Sequence, residues 1–326
     1  MTFHGSGGIM YSNKQERKGA KMQKIYRLTP ATKDNLWGGN KLRKYGKVSD
    51  KDRLAESWEL SFTRGGEAKI ADGRTLPEAF PRECWGTNCQ KFEFFPTLTK
   101  FIDAREKLSV QVHPSDEYAL KNEGQYGKTE MWYVVEADEG AGLYMGLNRE
   151  CGSEEFSAAV ADGTVEELLS FREVKGGDVF FIPSGTIHAI GAGVVIFEIQ
   201  QNSTLTYRLY DYMRRDKDGN LRELHVDKAM LVSDLEVYEG APRVENSPEI
   251  IGRCDYFETS KYKLNFTKMS FTVDEKSFLS LTVVGGEGTI EGEKASLGDT
   301  FFCPAGAGEI TVETDGEIEV ITVKIP

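Results

Sequence analysis

Gly177-Asp178-Val179-Phe180-Phe181-Ile182-Pro183-Ser184-Gly185 is a short apolar run between two turns, and it continues into Thr186-Ile187-His188. The same pattern recurs as Gly298-Asp299-Thr300-Phe301-Phe302-Cys303-Pro304-Ala305-Gly306. A four-residue apolar run bounded by Gly-Asp on one side and Pro-x-Gly on the other reads as a buried strand. Two copies in one chain predict two examples of one β module. The copies differ where chemistry would sit. The first leads to His188, whereas the second continues Ala307-Gly308-Glu309 and has no histidine. One module is therefore expected to bind metal, and the other to be a structural copy without ligands.

The rest of the chain extends this pattern. Further strand-like runs are KLSVQVHP (107–114), EMWYVVEA (130–137), GVVIFEIQ (193–200), FLSLTVVGGEGTI (278–290) and IEVITVKI (318–325). Short Val/Ile/Phe/Tyr-rich segments separated by Gly, Pro and Asp predict a mostly β sandwich or barrel. Helical patterning is thin. Glu154 to Phe171 reads as one or two helices with Ser153 as N-cap, and Thr75 to Phe80 and Asp227 to Ser233 as short ones. Patterning breaks at VYEGAPRVENSPE (237–249), which predicts a first module over 22–240 and a second over 241–326. Residues 1–21, MTFHGSGGIMYSNKQERKGAK, are polar and Gly-rich with no apolar core of a secretory signal. They read as an appended or upstream leader before a natural start at Met22.

The composition excludes several classes. The chain has 326 residues, 39% hydrophobic and 28% charged, with no stretch near the roughly 18 apolar residues of a membrane helix. A net charge of −12 argues against nucleic acid as a partner. Five cysteines, Cys84, Cys89, Cys151, Cys254 and Cys303, show no CxxC spacing and read as reduced thiols of a cytoplasmic protein.

The chemistry gathers around Gln111-Val112-His113. Residues two apart on a strand share a face, so Gln111 and His113 project together. Glu130 opens the next strand-like run, and His188 follows the Pro-x-Gly turn. Two imidazoles, a carboxylate and an amide oxygen make a four-ligand set suited to one Zn²⁺ or a related divalent ion, with a position open to water or substrate. Lys128 lies two residues before Glu130 and is expected on the same face. His4 and His225 fit no motif and read as incidental. Tyr207, Tyr210 and Tyr212 read as a half-buried strand.

The segments HPSD, GKTEMWY and GDVFFIPSGTIHAIG together resemble the cupin superfamily. LSVQVHPSD, GKTEMWYVV and TYRLYDY, with LWGGNKL, AESWELS and FPTLTKFIDA, resemble the type I mannose-6-phosphate isomerase family from about Ile25 to Asp211. The resemblance implies two cupin-type (jelly-roll) β-barrel modules with a few short helices. It assigns metal ligation to Gln111, His113, Glu130 and His188. It implies a catalytic role for Arg208, and places Lys100, Ser109, Trp37 and Glu56 in substrate-binding motifs; core packing accounts for Trp37 equally well. The gap between Glu130 and His188 leaves room only for the 154–171 helical stretch, as in short bacterial members. Two departures stand out: Thr129 replaces the proline of the family's KPEM, and Gly127 stands where some relatives have a histidine.

The implied reaction interconverts mannose 6-phosphate and fructose 6-phosphate through an enediol in the cytoplasm, with the protein a monomer or homodimer and a phosphosugar its small-molecule partner. Lys128 is the expected base, with Glu56 or a metal-bound water as alternatives. Another cupin metalloenzyme (a dioxygenase or a different phosphosugar isomerase) or a non-catalytic sugar-phosphate sensor are the competing readings. Oxygen consumption with iron would mark the dioxygenase, and binding without turnover the sensor.

Overall fold

A computed structural model describes residues 22–216, 218–238 and 249–326. The expected leader, 1–21, and most of the expected linker lie outside the described residues, as does the division at 240/241. The chain is mostly β and forms three antiparallel sheets. A six-stranded sheet holds β2 (Ala31–Lys33), β3 (Glu56–Trp58), β4 (Thr97–Ala104), β11 (Val194–Gln201), β6 (Glu130–Ala137) and β9 (Val179–Ile182), in that order. A five-stranded sheet holds β12 (Tyr207–Tyr210), β5 (Val110–Val112), β10 (His188–Ile190), β7 (Gly142–Leu147) and β8 (Leu169–Glu173). These two sheets face each other as a jelly-roll sandwich. Ile102, Trp132, Val134 and Ile196 of the first meet Leu143, Met145 and Ile190 of the second in one core.

The third sheet is seven-stranded. It contains β1 (Tyr26–Arg27), β13 (Ile250–Cys254), β14 (Phe257–Val273), β15 (Leu279–Ile290), β16 (Glu293–Ser296), β17 (Thr300–Cys303) and β18 (Gly308–Lys324). Its long strands carry register shifts at Asn265/Thr267 and Val283/Gly285, which bend them around Leu281, Phe301, Ile310 and Val320. None of the three sheets closes on itself in strand pairing, so the expected barrels are open jelly rolls. The N-terminal strand β1 pairs with β17, which stitches the start of the chain into the C-terminal sheet.

The repeat is visible in backbone geometry. Gly177 and Gly298 both have φ of 96°, a left-handed conformation that favours glycine. Asp178 Oδ2 accepts the Lys175 N–H and Asp299 Oδ2 accepts the Ser296 N–H, each at 2.9 Å, so the same side-chain turn precedes each strand.

The helices are shorter than the patterning implied. α3 runs Ser153–Asp162 after Gly152 as N-cap, and a 3-10 turn covers Val165–Leu168. Residues 169–171 already belong to β8, because Phe171 pairs with Tyr144 of β7. Gly163, at φ 75°, ends the helix in the left-handed conformation that its missing Cβ permits. α1 (Leu76–Ala79) is opened by a Thr75/Glu78 capping box, and α2 (Asp116–Asn122) and α4 (Val226–Val232) complete the set. The tyrosine-rich strand stops at Tyr210, because Tyr212 and Met213 take positive φ of 55° and 54°.

Strand alternation gives the six-stranded sheet two working faces. Trp132, Val134 and Ile196 point to the sandwich core, while Met131, Tyr133 and Phe197 point outward and pack on Phe257, Ile321 and Val323 of the C-terminal sheet. Within this second interface Lys47 is buried against Glu59, Nζ to Oε1 2.7 Å, and Lys47 Nζ also donates to the Gly298 carbonyl at 2.5 Å. Removing one partner of a buried pair leaves the other charge uncompensated. Lys47→Ala is therefore expected to lower unfolding free energy by roughly 3 kcal/mol, read as a lower urea midpoint at unchanged slope. A midpoint equal to wild type would show that the pair adds nothing to stability.

Candidate functional site

Cross-strand register sets two rows of polar side chains facing each other across the sandwich. On the six-stranded sheet Trp58, Lys100, Glu198 and Trp132 are successive partners. On the five-stranded sheet Arg208, Gln111 and His188 are. Glu130 opens β6, and His113 follows the last residue of β5.

His113, Glu130 and His188 each present a ligand atom within 4.8 Å of the others, and all three are buried. Hydrogen bonding decides which ring nitrogens face inward. His113 Nδ1 donates to the Leu205 carbonyl at 2.8 Å, and His188 Nδ1 donates to the Thr186 carbonyl at 2.9 Å. Each ring is thus in the tautomer that leaves the Nε2 lone pair pointing into the cluster. Burial, with Lys128 adding to it, holds His188 down at about 4 and His113 well below the usual histidine range, so both rings are neutral and ready to ligate. Glu130 Oε1 lies 3.2 Å from His188 Nε2 and is buried without a hydrogen-bond partner. A carboxylate oxygen and an imidazole lone pair at that distance repel unless a proton or a metal cation sits between them. The donor set therefore fits a divalent metal. Burial and the nearby Glu198 push the Glu130 carboxyl up to about 7.

Gln111 lies beside this group. Its Nε2 is 3.3 Å from His188 Nε2, and its Oε1 accepts the Ser109 hydroxyl at 3.3 Å. An amide half-turn would exchange its nitrogen and oxygen and present an oxygen to the cluster.

Lys128 precedes β6 yet still faces inward. Its Nζ donates to Glu130 Oε2, lies 3.1 Å from His113 Nε2 and 3.5 Å from Glu198 Oε1, and is 4% exposed. The ammonium thus touches the atoms a bound cation would use. Glu198 is held at about 2, burial being outweighed by Lys100 at 3.0 Å and by Lys128, and Trp132 Nε1 donates to it at 2.8 Å. Burial would lower Lys100, but Glu198 and Glu56 hold its proton more tightly than usual.

The cluster opens into a pocket of about 180 Å³ lined by Trp37, Glu56, Lys100, Ser109, Gln111, Lys128 and Arg208, every predicted site residue except His113, Glu130 and His188. Those three lie behind its floor. Glu56 accepts Asn35 Nδ2 on Oε1 and Trp58 Nε1 on Oε2, both at 2.7 Å, so neither oxygen is free of a donor. Trp37 belongs to both the core and the pocket wall. Arg208 is half-buried, and its Nε has no hydrogen-bond partner among the described residues. Burial and neighbouring Arg222 lower it from the ordinary guanidinium range. Arg222 also lines the pocket and is paired with Asp211, Nε to Oδ2 2.6 Å.

Glu198 and Arg222 were not anticipated from sequence. A lone Glu in the apolar run VVIFEIQ was the available signal for the first; Arg222, in a polar loop, gave none. His225 has a local role, since its Nδ1 accepts the Arg208 backbone N–H at 3.3 Å. At Gly127, a Cβ would meet the backbone of Ser115 and Asp116 at 2.5 and 2.6 Å, so a histidine there has no room.

Fold and site define a jelly-roll protein with a buried cation-ready cluster beneath a small polar pocket. Family models match two stretches: phosphomannose isomerase type I, catalytic domain, over residues 25–140, and mannose-6-phosphate isomerase, cupin domain, over residues 249–324. The chain is 36% identical over 299 residues to mannose-6-phosphate isomerase ManA of Bacillus subtilis, covering 87% of this chain and 94% of that protein. It is 36% identical over 306 residues to mannose-6-phosphate isomerase of Streptococcus mutans, covering 88% and 93%. The crystal structure of mannose 6-phosphate isomerase from Bacillus subtilis matches with a TM-score of 0.83 at 33% identity, covering 92% of this chain and 99% of that one. The chain belongs to the type I phosphomannose isomerase family.

His188→Ala is expected to abolish divalent-metal retention after desalting, measured by elemental analysis. Retention of a full complement would remove His188 from the ligand set.

Proposed function

We propose that the chain is a metal-dependent aldose–ketose isomerase that interconverts mannose 6-phosphate and fructose 6-phosphate through an enediol, and that it works in the cytoplasm. Gln111, His113, Glu130 and His188 would hold one divalent ion, and their nitrogen and oxygen donors suit zinc. When bound, the ion supplies Lewis acidity toward the oxygens on C1 and C2. The observation that carries the reading is the position of Lys128, whose Nζ lies among His113, Glu130 and Glu198 at the floor of the pocket.

Isomerisation needs a proton moved between C2 and C1, and Lys128 is the proposed carrier at Nζ. Glu56 is less suited to that task, because both its oxygens already accept hydrogen bonds. It serves to hold Asn35 and Trp58 in the pocket wall. Arg208 brings a guanidinium to the pocket wall, which suits the developing enediolate oxygen or the phosphate. Lys100 and Ser109 are proposed to line the substrate, with Trp37 as an apolar wall. The Lys100 charge is met by Glu198 and the Arg222 charge by Asp211, so the anionic group falls mainly to Arg208.

Purified protein given fructose 6-phosphate is expected to form mannose 6-phosphate, to stop after chelation and to recover with added zinc. No turnover by metal-replete protein would favour a sugar-phosphate binding module. Lys128→Ala should lower kcat by about 100-fold or more while keeping its metal. Loss of metal together with activity would make Lys128 part of the binding cluster.

A further inference from the structure

Lys128 lies just outside the β6 ladder, and its flanking peptides are held by two backbone bonds together with side chains. Asp116, the first residue of α2, accepts the Gly127 N–H on Oδ1 at 2.7 Å and the Gln201 side-chain Nε2 on the same oxygen at 2.9 Å. Gln201 Oε1 in turn accepts the Thr129 N–H at 2.7 Å, and the Gln201 N–H donates to the Thr129 carbonyl at 3.0 Å. The intervening Lys128 N–H donates to the Pro114 carbonyl at 3.0 Å. The peptide groups on either side of Lys128 are thus held by one relay that begins at Asp116. The Thr129 N–H in that relay is a donor that the family motif's proline would lack.

The relay reaches the C-terminal sheet. Tyr256, between β13 and β14, donates its hydroxyl to Asp116 Oδ2 at 2.8 Å. The Tyr256 ring is wedged against Phe92 and Tyr126, with centroids 4.7 and 5.2 Å away, which fixes where the hydroxyl points. Both Asp116 oxygens are therefore committed, and neither faces the pocket, whose lining excludes Asp116.

We propose that Asp116, braced by Tyr256 from the C-terminal sheet, is a positioning residue that holds the Gly127–Thr129 segment so that Lys128 delivers its Nζ to the pocket. The proposal rests on Lys128 being the proton carrier. It gives the C-terminal sheet a task in the chemistry of the pocket. Displacing a reacting group by about 1 Å can cost up to about 100-fold in rate. A positioning loss of this kind falls on kcat, because Asp116 does not line the pocket.

The test uses full-length, metal-replete protein. Asp116→Ala is expected to lower kcat by about tenfold or more with KM for mannose 6-phosphate within about twofold. Asp116→Asn keeps an oxygen for Gly127 and is expected to restore most of the rate. In a Lys128→Ala background, Asp116→Ala should cause no further fall, because the two act through one group. An equal fall in both backgrounds would overturn the proposal. Amide hydrogen exchange provides a readout independent of turnover: Gly127 and Thr129 should exchange faster in Asp116→Ala, and Gly127 alone somewhat faster in Tyr256→Phe. Unchanged exchange at Gly127 in Asp116→Ala would overturn the relay, and unchanged exchange in Tyr256→Phe would overturn the brace. If the wild type does not isomerise, the isomerase reading fails and the exchange measurements still decide whether the relay exists.

Discussion

Two imidazole lone pairs and a carboxylate are pointed at one another in a space where none of their owners is more than 1% exposed. Left alone, that arrangement costs free energy, because buried acceptors without donors lose their hydration and repel. It is not an accident of packing. The Leu205 and Thr186 carbonyls each take an Nδ1 proton, and so force both Nε2 lone pairs inward. A bound cation would reconcile the three groups, and the Lys128 ammonium partly does so where it lies.

The surrounding architecture follows from bringing those groups together. His188 and Gln111 come from one sheet, and Glu130, Lys100 and Glu198 from the other. Their meeting requires a sandwich of fixed spacing, filled below by Ile102, Trp132, Met145 and Ile196. The C-terminal sheet covers the outward face of the six-stranded sheet with Phe257, Ile321 and Val323. Among its described residues no group of His, Cys, Asp or Glu side chains is placed to hold a metal. Its Gly298 carbonyl and Tyr256 hydroxyl nevertheless reach into the first module, to Lys47 and Asp116.

Much of this was legible in the chain before any coordinates. Period-two alternation in EMWYVVEA separates Glu130 and Trp132 from Met131 and Tyr133, and the structure places them on opposite faces. Spacing brought Gln111 and His113 to one side of β5. Helix ends were less legible, because a 3-10 turn and a strand share the polar, Leu-rich stretch after Gly163. Glu198 was passed over because an acid in an apolar strand carries no role until its cross-strand partners, Lys100 and Trp132, are known.

By itself, the sequence determined the mostly β class, the duplicated turn–strand–turn unit and the short list of candidate metal-ligating side chains. These depend on local patterning and on residue chemistry, which are written along the chain. Only the tertiary structure decided which ring nitrogens face the cluster, that Glu56 is already occupied by Asn35 and Trp58, and that Asp116 holds the backbone on either side of Lys128. Each of those depends on hydrogen bonds whose geometry the fold sets, some between partners as far apart as His113 and Leu205. Such bonds have direction and length, and no periodicity in one dimension records either.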